Sequence, residues 1–404
     1  MTAPRAIRGA SGVVGNEAPC RISAWQASGP KLDTHGERAF GPILFTQYTL
    51  SRRVLKLTAQ MAPVGPSEPQ DVTLSVRSAG GAARWRDAGR ATIDPLARTA
   101  TFRVANWDDA NDHEYRVSCE SRDTKGQAIT ATFDGTIRRD PRAKPKTVVA
   151  AFTGNNDLGF PHADVVKRVA TFQPDLLIFT GDQIYEPVGG FGVQRAPLDM
   201  ATLDYLRKWF MYGWEYRELL RDIPSVAMPD DHDVYHGNIW GAGGRDANDI
   251  VPALQREGVG VQTQKQDSGG FTMPVDWVNM VQRTQTSHLP DPVDPAPAER
   301  GIGVYFTELV GGGVSYAIIE DRKWKSAPAV MLPEAQIVNG WARNPDRDSS
   351  EHGDVAGAEL LGARQMRFLE RWAGSRSPEI WMKAFVSQTI FVNVATLPRG
   401  SAGL

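Results

Sequence analysis

The segment "DLLIFTGDQIYE", residues Asp175 to Glu186, carries the pattern that decides the fold of this 404-residue chain. An apolar run leads directly into Gly-Asp, and a tyrosine stands three residues beyond that aspartate. A continuous apolar run is typical of a strand that is buried on both faces, so a carboxylate at its end requires a reason. The pattern recurs about fifty residues later in "IPSVAMPDDHDVYHGN", Ile223 to Asn238, where a histidine stands beside the acidic residues.

Strands and helices alternate around these two segments, which predicts a parallel α/β sheet. The stretch "TVVAAF" is a continuous apolar run, and "HADVVKRVATF" places apolar residues at helical spacing before the strand "DLLIF". A strand, a helix and a second buried strand make a βαβ unit, whose parallel strands are covered on both faces. We predict further helices in "LDYLRKWFMYGWEYRELLRD", "DWVNMVQRTQTSH" and "ELLGARQMRFLERWAG", and further strands in "PSVAM", "GVSYAIIED" and "WMKAFVSQTIFVN".

A β-rich region precedes the α/β part of the chain. From about Ile43 to Ile137, short and often alternating apolar runs are separated by turn signals such as "PVGPSEPQ" and "DTKG". Six or seven such strands in about a hundred residues predict a β-sandwich. We therefore expect a poorly ordered leader over residues 1–40, an all-β sandwich domain over residues 41–140 and a layered α/β domain over residues 146–404.

Composition and charge exclude several classes of protein. The formal net charge of −2 argues against a general nucleic-acid surface, which would carry a basic excess. The two cysteines, Cys20 and Cys119, form no CxxC pair, which excludes a zinc ribbon or a thioredoxin-like redox site. No run approaches the ~18 apolar residues of a membrane span. As written, the N-terminus shows no export signal, so the sequence leaves the cellular location and the oligomeric state open.

The acidic residues stand where ligands bind in open α/β sheets, just outside the carboxyl ends of strands. Asp182 follows one predicted strand, Asp230 and Asp231 follow a second, and "GNND" (154–157) follows a third. Clustered carboxylates repel one another unless protons or cations neutralise them. Hard cations such as Ca²⁺, Mg²⁺ or Mn²⁺ suit carboxylate and amide oxygens, and Tyr185 as a phenolate would also suit iron.

The pairing of "FTGDQIYE" with "DDHDVYHGN" resembles the alkaline phosphatase D (PhoD-like) family of calcineurin-like metallophosphoesterases. The late "LLGARQMRFLERWA" and "WMKAFVSQTIF" resemble that family's glutamine-containing helix and the strand that follows it, so the resemblance covers roughly residues 45–400. It implies a metallophosphoesterase-like α/β domain behind the β-sandwich. It also implies two-metal hydrolysis of small-molecule phosphate mono- or diesters. Members of this family are commonly exported to the periplasm or the extracellular space.

The resemblance assigns roles position by position. Asp182 resembles the carboxylate that bridges the two metals, and Tyr185 resembles the family's metal-binding tyrosine. Asp231 occupies the position of a ligand to the second metal, and Asp230 is the alternative ligand. His232 resembles the histidine that stabilises phosphoryl oxygens and protonates the leaving group. Asn238 resembles the asparagine that follows this motif and is a candidate substrate-binding residue. After the first strand, Asn155 or Thr153 is a candidate neutral metal ligand. Arg283 and His288 are further candidate substrate-binding residues that the resemblance does not itself assign. Asp233 and His236 are left open between supporting these residues and facing solvent.

The sequence departs from the family pattern in two places. The first strand ends in "FTGNND", where the family has Asp-x-His or a cysteine-bearing turn. The family's Gly-Asp-x-His segment is not found before the sequence ends at "LPRGSAGL", which suggests the front part of a longer enzyme, and His288 and His352 lie too early to replace it. The alternative hypothesis is therefore a non-catalytic binding or structural protein with a degenerate or truncated phosphoesterase domain.

Overall fold

Two antiparallel sheets are formed by the chain between Ile43 and Ile137, as its alternating apolar pattern predicts. The computed structural model describes residues 29–31, 41–80, 83–122, 126–155, 160–188, 192–253, 257–344, 346 and 353–389. The first sheet has the order β1-β2-β5 and the second has the order β4-β3-β6-β7. Their strands are β1 (Ile43–Ser51), β2 (Val54–Met61), β3 (Asp71–Ser78), β4 (Arg86–Thr92), β5 (Thr99–Val104), β6 (His113–Arg122) and β7 (Ala128–Ile137).

One apolar cluster includes side chains of both sheets, among them Leu57 and Phe102 from the first and Val117 from the second. Strand β1 is buried along its whole length, so it also contacts the α/β part of the chain through its other face. Residues Gly41–Leu404 form one compact unit. The division into a sandwich domain over 41–140 and an α/β domain over 146–404 stays a prediction.

The predicted βαβ unit is confirmed and forms a parallel sheet with the order β10-β9-β8. Its strands are β8 (Val149–Phe152), β9 (Leu176–Phe179) and β10 (Ser225–Ala227), connected by helices α1 (Ala163–Thr171) and α2 (Leu198–Leu220). Aromatic residues of α2 recur at helical spacing and are buried: Tyr205, Trp209, Tyr212 and Tyr216. Gly213 lies among them because a Cβ there would overlap the ring of Phe45 in β1.

A fourth sheet has the order β11-β12-β15, in which β11 (Thr307–Gly311) and β12 (Val314–Ile318) are antiparallel and β12 and β15 (Met382–Val386) are parallel. The helix predicted in "ELLGARQMRFLERWAG" is confirmed as α7 (Gly362–Gly374), and its residues Gln365 and Phe368 are buried. The remaining elements are α3 (Ala247–Ile250), α4 (Val261–Ser268), α5 (Val275–Thr286), α6 (Pro328–Met331), β13 (Ile337–Val338) and β14 (Trp341–Ala342).

Within the described ranges the chain is thus a mixed α/β protein with several sheets. Strand β4 has no apolar run to indicate it in the sequence, because its residues, "RDAGRAT", are charged or small and mostly exposed. None of the described helices is long and apolar enough to cross a lipid bilayer. The predicted leader over residues 1–40 lies almost wholly outside the described residues, and so does the end of the last predicted strand after Thr389.

Candidate metal centre

The carboxyl ends of strands β9 and β10 bring three aspartates together. The two strands pair in parallel, with Phe179 opposite Ala227, so both segments leave the sheet at the same edge. Asp182 follows β9, and Asp230 and Asp231 follow β10. Each of these side chains offers a carboxylate oxygen within 4.8 Å of the others. Because Asp230 and Asp231 are buried, this negative charge has little access to water.

A glycine and a left-handed backbone make the turn that delivers Asp182. Gly181 has a φ of 111°, and a Cβ at this position would overlap the Cβ of Asp230. Asp182 has a φ of 55°, in the left-handed region that few non-glycine residues occupy. Such a conformation costs about 1–3 kcal/mol and persists only where the surrounding contacts fix it. The Gly-Asp pair is therefore what allows the two acidic segments to approach.

The buried carboxylate of Asp233 fixes both acidic segments through their backbones. Its Oδ2 accepts the N–H groups of Asp182 and Asp230, each at 2.8 Å. Its Oδ1 accepts the N–H groups of Gln183 at 3.1 Å and Ile184 at 3.3 Å. Burial, together with the charge of Asp182, raises the pKa of Asp233 to about 8, against the lowering effect of the N–H donors. These contacts hold Asp182 in its left-handed conformation.

The aspartates fit a bound cation. Burial, followed by the charge of Asp231, raises the pKa of Asp182 to about 6, and burial raises the pKa of Asp230 well above its ordinary value. Among the described atoms, Oδ1 of Asp182 is buried without a hydrogen-bond partner. The Tyr185 hydroxyl donates to Oδ2 of Asp182 at 3.2 Å. Carboxylate and phenol oxygens suit hard cations, so Asp182 and Asp231, with Tyr185 beside them, could hold a metal ion.

A positively charged arginine side chain already contacts two of the three carboxylates. Arg322 comes from the segment after β12, in a different sheet from β9 and β10. Its Nε lies 2.8 Å from Oδ1 of Asp230, and its Nη2 lies 3.2 Å from Oδ2 of Asp230 and 3.4 Å from Oδ1 of Asp231. Burial alone would lower the pKa of Arg322, but the two aspartates raise it. The guanidinium therefore stays charged and offsets part of the negative charge.

His232 follows the aspartates directly and begins a short 3-10 turn. Its Nδ1 lies 2.6 Å from Oε2 of Glu186, and the centre of its ring lies 4.4 Å from that of Tyr185. Burial lowers the pKa of His232, but the hydrogen bond and charge of Glu186, with the neighbouring aspartates, raise it to about 9. The imidazole is therefore protonated at neutral pH and donates from Nδ1 to Glu186. Its other nitrogen, Nε2, carries the proton that it could transfer.

A buried lysine connects helix α2 to both segments of the site. Nζ of Lys208 donates to Oδ2 of Asp204 at 2.7 Å, to the carbonyl of Glu186 at 2.8 Å and to the hydroxyl of Tyr235 at 3.1 Å. The Tyr235 hydroxyl donates to the same oxygen of Asp204 at 2.8 Å. Glu186 belongs to the segment after β9 and Tyr235 to the segment after β10. The lysine therefore fixes the backbone that presents Glu186 to the histidine.

Two other predicted site residues lie near these segments but have partners of their own. Oδ1 of Asn155 accepts the hydroxyl of Tyr216 at 3.0 Å, so the atom that would bind a metal is already engaged. The backbone N–H of Asn238 donates to Oδ2 of Asp231 at 2.6 Å, which orients that carboxylate. Asp233 and His236, left open by the sequence, are both buried. Residues 156 and 157 of the "GNND" turn lie outside the described residues, and so does His352.

Two predicted substrate contacts are not brought to the acidic cluster. Nε of Arg283 lies 2.9 Å from Oδ2 of Asp94, in the β-rich region. Nε2 of His288 lies 3.0 Å from the carbonyl of Ser225, the first residue of β10, whereas Asp230 follows the other end of that strand. His288 is fully buried, and burial lowers its pKa to about 3. Helical periodicity predicted α5 correctly, but it does not show to which end of the sheet the helix delivers these residues.

The site also contains Glu186 and Arg322, which were not among the predicted site residues. Glu186 stands directly after Tyr185 in the motif, so its signal was present. Arg322 closes "VSYAIIEDR", where charged residues follow a buried strand, the same arrangement that identified the aspartates. The sequence does not show that this strand ends beside the aspartates, because β12 lies in another sheet.

No protein-family model matches the chain, and no curated protein matches it. Among solved structures, it is similar to the purple acid phosphatase PPD1 from yellow lupin (Lupinus luteus) seeds, with 10% identity and a TM-score of 0.43 over 84% of this chain and 49% of that chain. The chain thus spans about half the length of that protein. It is also similar to the twitchin kinase region from C. elegans, with 14% identity and a TM-score of 0.18 over 24% of this chain and 17% of that chain. Such low TM-scores establish no family, so a function has to be argued from the site.

Proposed function

We propose that this chain is a metal-dependent hydrolase of phosphate esters. The observation that carries the proposal is the convergence of Asp182, Asp230 and Asp231 from two adjacent strand ends, within 4.8 Å of one another. A histidine held in its protonated form by Glu186 stands directly beside them. Concentrated carboxylates suit a cation, and a cation beside a proton donor suits the cleavage of an anionic ester.

The chain's own residues divide the chemistry between them. A metal ion held by Asp182 and Asp231 would polarise a phosphoryl oxygen and activate water for attack on phosphorus. As the bond from phosphorus to the leaving oxygen breaks, that oxygen takes the proton from Nε2 of His232. Glu186 keeps the imidazole oriented for this transfer. A positioned proton donor contributes a rate factor of about 10²–10⁴.

The finer proposal is a PhoD-like alkaline phosphatase or phosphodiesterase that acts on small-molecule mono- or diesters. It is supported by the pairing of GDxxYE with DDHD, and by the site geometry of the residues in those two motifs. A strongly acidic cluster would repel an anionic substrate, so the cation is required for binding as well as for chemistry. Mn²⁺, Ca²⁺, Mg²⁺ and Fe³⁺ are the ions to be tried.

The test is hydrolysis of p-nitrophenyl phosphate and of bis(p-nitrophenyl) phosphate by the purified chain with each ion in turn. We expect metal-dependent release of p-nitrophenol that is lost in Asp182→Asn. Asp175→Asn is the matched control, because Asp175 precedes the same strand at its other end and should leave the activity intact. Full activity of Asp182→Asn would refute the assignment. Stoichiometric metal binding without hydrolysis of either ester would favour the non-catalytic alternative.

A further inference from the structure

The segment that carries Arg322 is held in place by contacts that do not involve the acidic cluster. The N–H of Gly241 donates to the carbonyl of Arg322 at 2.8 Å, and the N–H of Gly243 donates to the carbonyl of Lys323 at 3.0 Å. A Cβ on Gly241 would overlap the carbonyl of Lys323, so this approach requires glycine. On the other side, Oε1 of Gln365 accepts the N–H of Glu320 at 2.8 Å. These contacts therefore hold the backbone of Arg322 beside the acidic cluster independently of the cluster itself.

We infer that Arg322 takes the place of a second metal ion, so that this site binds one metal and not two. Its guanidinium lies 2.8 Å and 3.2 Å from the two oxygens of Asp230 and 3.4 Å from Oδ1 of Asp231. The inference concerns the number of ions and rests on the proposed function only in assuming that the site binds a metal. It departs from the two-metal site that the sequence resemblance implies.

A second ion would have to displace this guanidinium. Protein oxygens bind Mg²⁺ at about 2.0–2.1 Å and Ca²⁺ at about 2.3–2.6 Å, so an ion on Asp230 would lie within a few ångströms of the arginine. Two positive centres that close repel strongly in a buried site. Asp230 and the side chain of Arg322 are both largely buried, so water does little to screen that repulsion. One divalent ion and one guanidinium, by contrast, match the charge of three carboxylates.

An arginine in place of a second metal ion changes how the site can work. Like a second metal ion, a guanidinium supplies positive charge to phosphate oxygens. It also offers them forked N–H donors. It cannot make water more acidic by coordination, so activation of water falls to the single metal. Asp230 then serves to position Arg322, and Asp182 and Asp231 are left to bind the ion.

The test counts the ions. The metal-free chain is loaded with Mn²⁺ and dialysed, the metal content is measured by mass spectrometry, and the electron paramagnetic resonance spectrum is recorded. We expect one Mn²⁺ per wild-type chain with an uncoupled spectrum. We expect two per chain in Arg322→Gln, with the splitting of a coupled ion pair, and one in Arg322→Lys, which keeps the charge. Arg364→Gln is the control, because that arginine pairs with Asp294 at 2.7 Å and should leave the count at one.

Each outcome separates the inference from the proposed function. Two ions in the wild-type chain would overturn the inference and leave the proposed function standing. One ion in both the wild-type chain and Arg322→Gln would overturn the role given to this arginine. No bound Mn²⁺ in the wild-type chain would overturn the proposed function and the inference with it. Urea unfolding of each variant shows that the count is made on folded protein. Arg322→Ala, for which we also expect two ions, provides the answer if Arg322→Gln does not fold.

Discussion

We expect Asp233→Asn to lower both the free energy of unfolding and the affinity for a metal ion. In the native protein, the two oxygens of this carboxylate accept four backbone N–H groups, two on each oxygen. Asparagine keeps the size of the side chain but replaces one acceptor oxygen with an NH₂ donor. Two of the four N–H groups would then face a donor and lose their acceptor.

The magnitude follows from the burial of these groups. A buried polar group that loses its partner costs about 1–3 kcal/mol, so two N–H groups cost about 2–6 kcal/mol. One of the four N–H groups belongs to Asp182, whose φ of 55° depends on such contacts. A relaxed turn would move its carboxylate away from that of Asp231. Loss of a residue that supports metal ligands typically lowers metal affinity about 10–100-fold.

Urea unfolding gives the free energy, and calorimetric titration with Mn²⁺ gives the affinity. Asp175→Asn is the matched control: Asp175 is also buried and accepts the N–H of Val148 at 3.0 Å, but at the opposite end of β9. The control should lose stability and keep its Mn²⁺ affinity. If folded Asp233→Asn binds Mn²⁺ as tightly as the wild-type chain, the positioning role of Asp233 is refuted, whatever the change in stability.

Three further predictions concern the surroundings of the site. Gly181→Ala should lower the free energy of unfolding by about 1–3 kcal/mol and weaken Mn²⁺ binding, because alanine is strained at a φ of 111°. Gly374→Ala is the control in the same urea and calorimetric measurements: no atom lies within 4 Å of the added methyl group, and Gly374 ends helix α7. It should raise the free energy of unfolding by at most about 1 kcal/mol and leave Mn²⁺ binding unchanged. Lys208→Met should lower the free energy of unfolding by about 3–5 kcal/mol, since it removes the lysine cation from the buried Asp204 carboxylate. Adding Asp204→Asn to Lys208→Met should cost less than Asp204→Asn costs alone, and additive losses would contradict the pairing. Finally, the pKa of Asp182 is about 6 in the folded chain against an ordinary 3.8. Between these two pH values the folded state therefore binds more protons than the unfolded state. The stability of metal-free protein should therefore fall as the pH rises from about 4 to about 6, and Mn²⁺ should oppose this fall. Thermal unfolding with and without chelator measures both effects, and a rise in the stability of the metal-free protein over this range would contradict the prediction.

The sequence predicted the elements that hold the aspartates because their signals are local. Apolar runs of four or five residues became β8, β9 and β10, and the helical spacing between them became α1 and α2. Parallel neighbours end at the same edge of a sheet, so acidic residues after two such runs were expected to meet. Asp182 and the Asp230–Asp231 pair do meet. Strand β4 carries no such local signal, because its residues are charged or small and form no apolar face.

The rest of the site depends on contacts between segments that are distant in sequence. Arg322 reaches the aspartates from another sheet, and no local pattern specifies how two sheets pack. The role of Asp233 depends on a left-handed turn about fifty residues earlier, which brings three of the four N–H groups to this side chain. The same limit explains the placement of His288: its helix was predicted, but the end of β10 that it meets was not.

The electrostatics of the site explain why buried polar residues surround it. Three neighbouring carboxylates repel one another, and the left-handed Asp182 adds strain, so the cluster by itself opposes folding. The chain holds it together with Asp233, Lys208 and Arg322, each bonded to a backbone or carboxylate group of the two acidic segments. Replacing a buried ion pair with well-packed apolar side chains is often neutral or stabilising, so stability alone does not require this arrangement. A site that must concentrate negative charge does require these buried polar residues. A cation that binds only the folded chain would stabilise the folded state and so offset part of this cost.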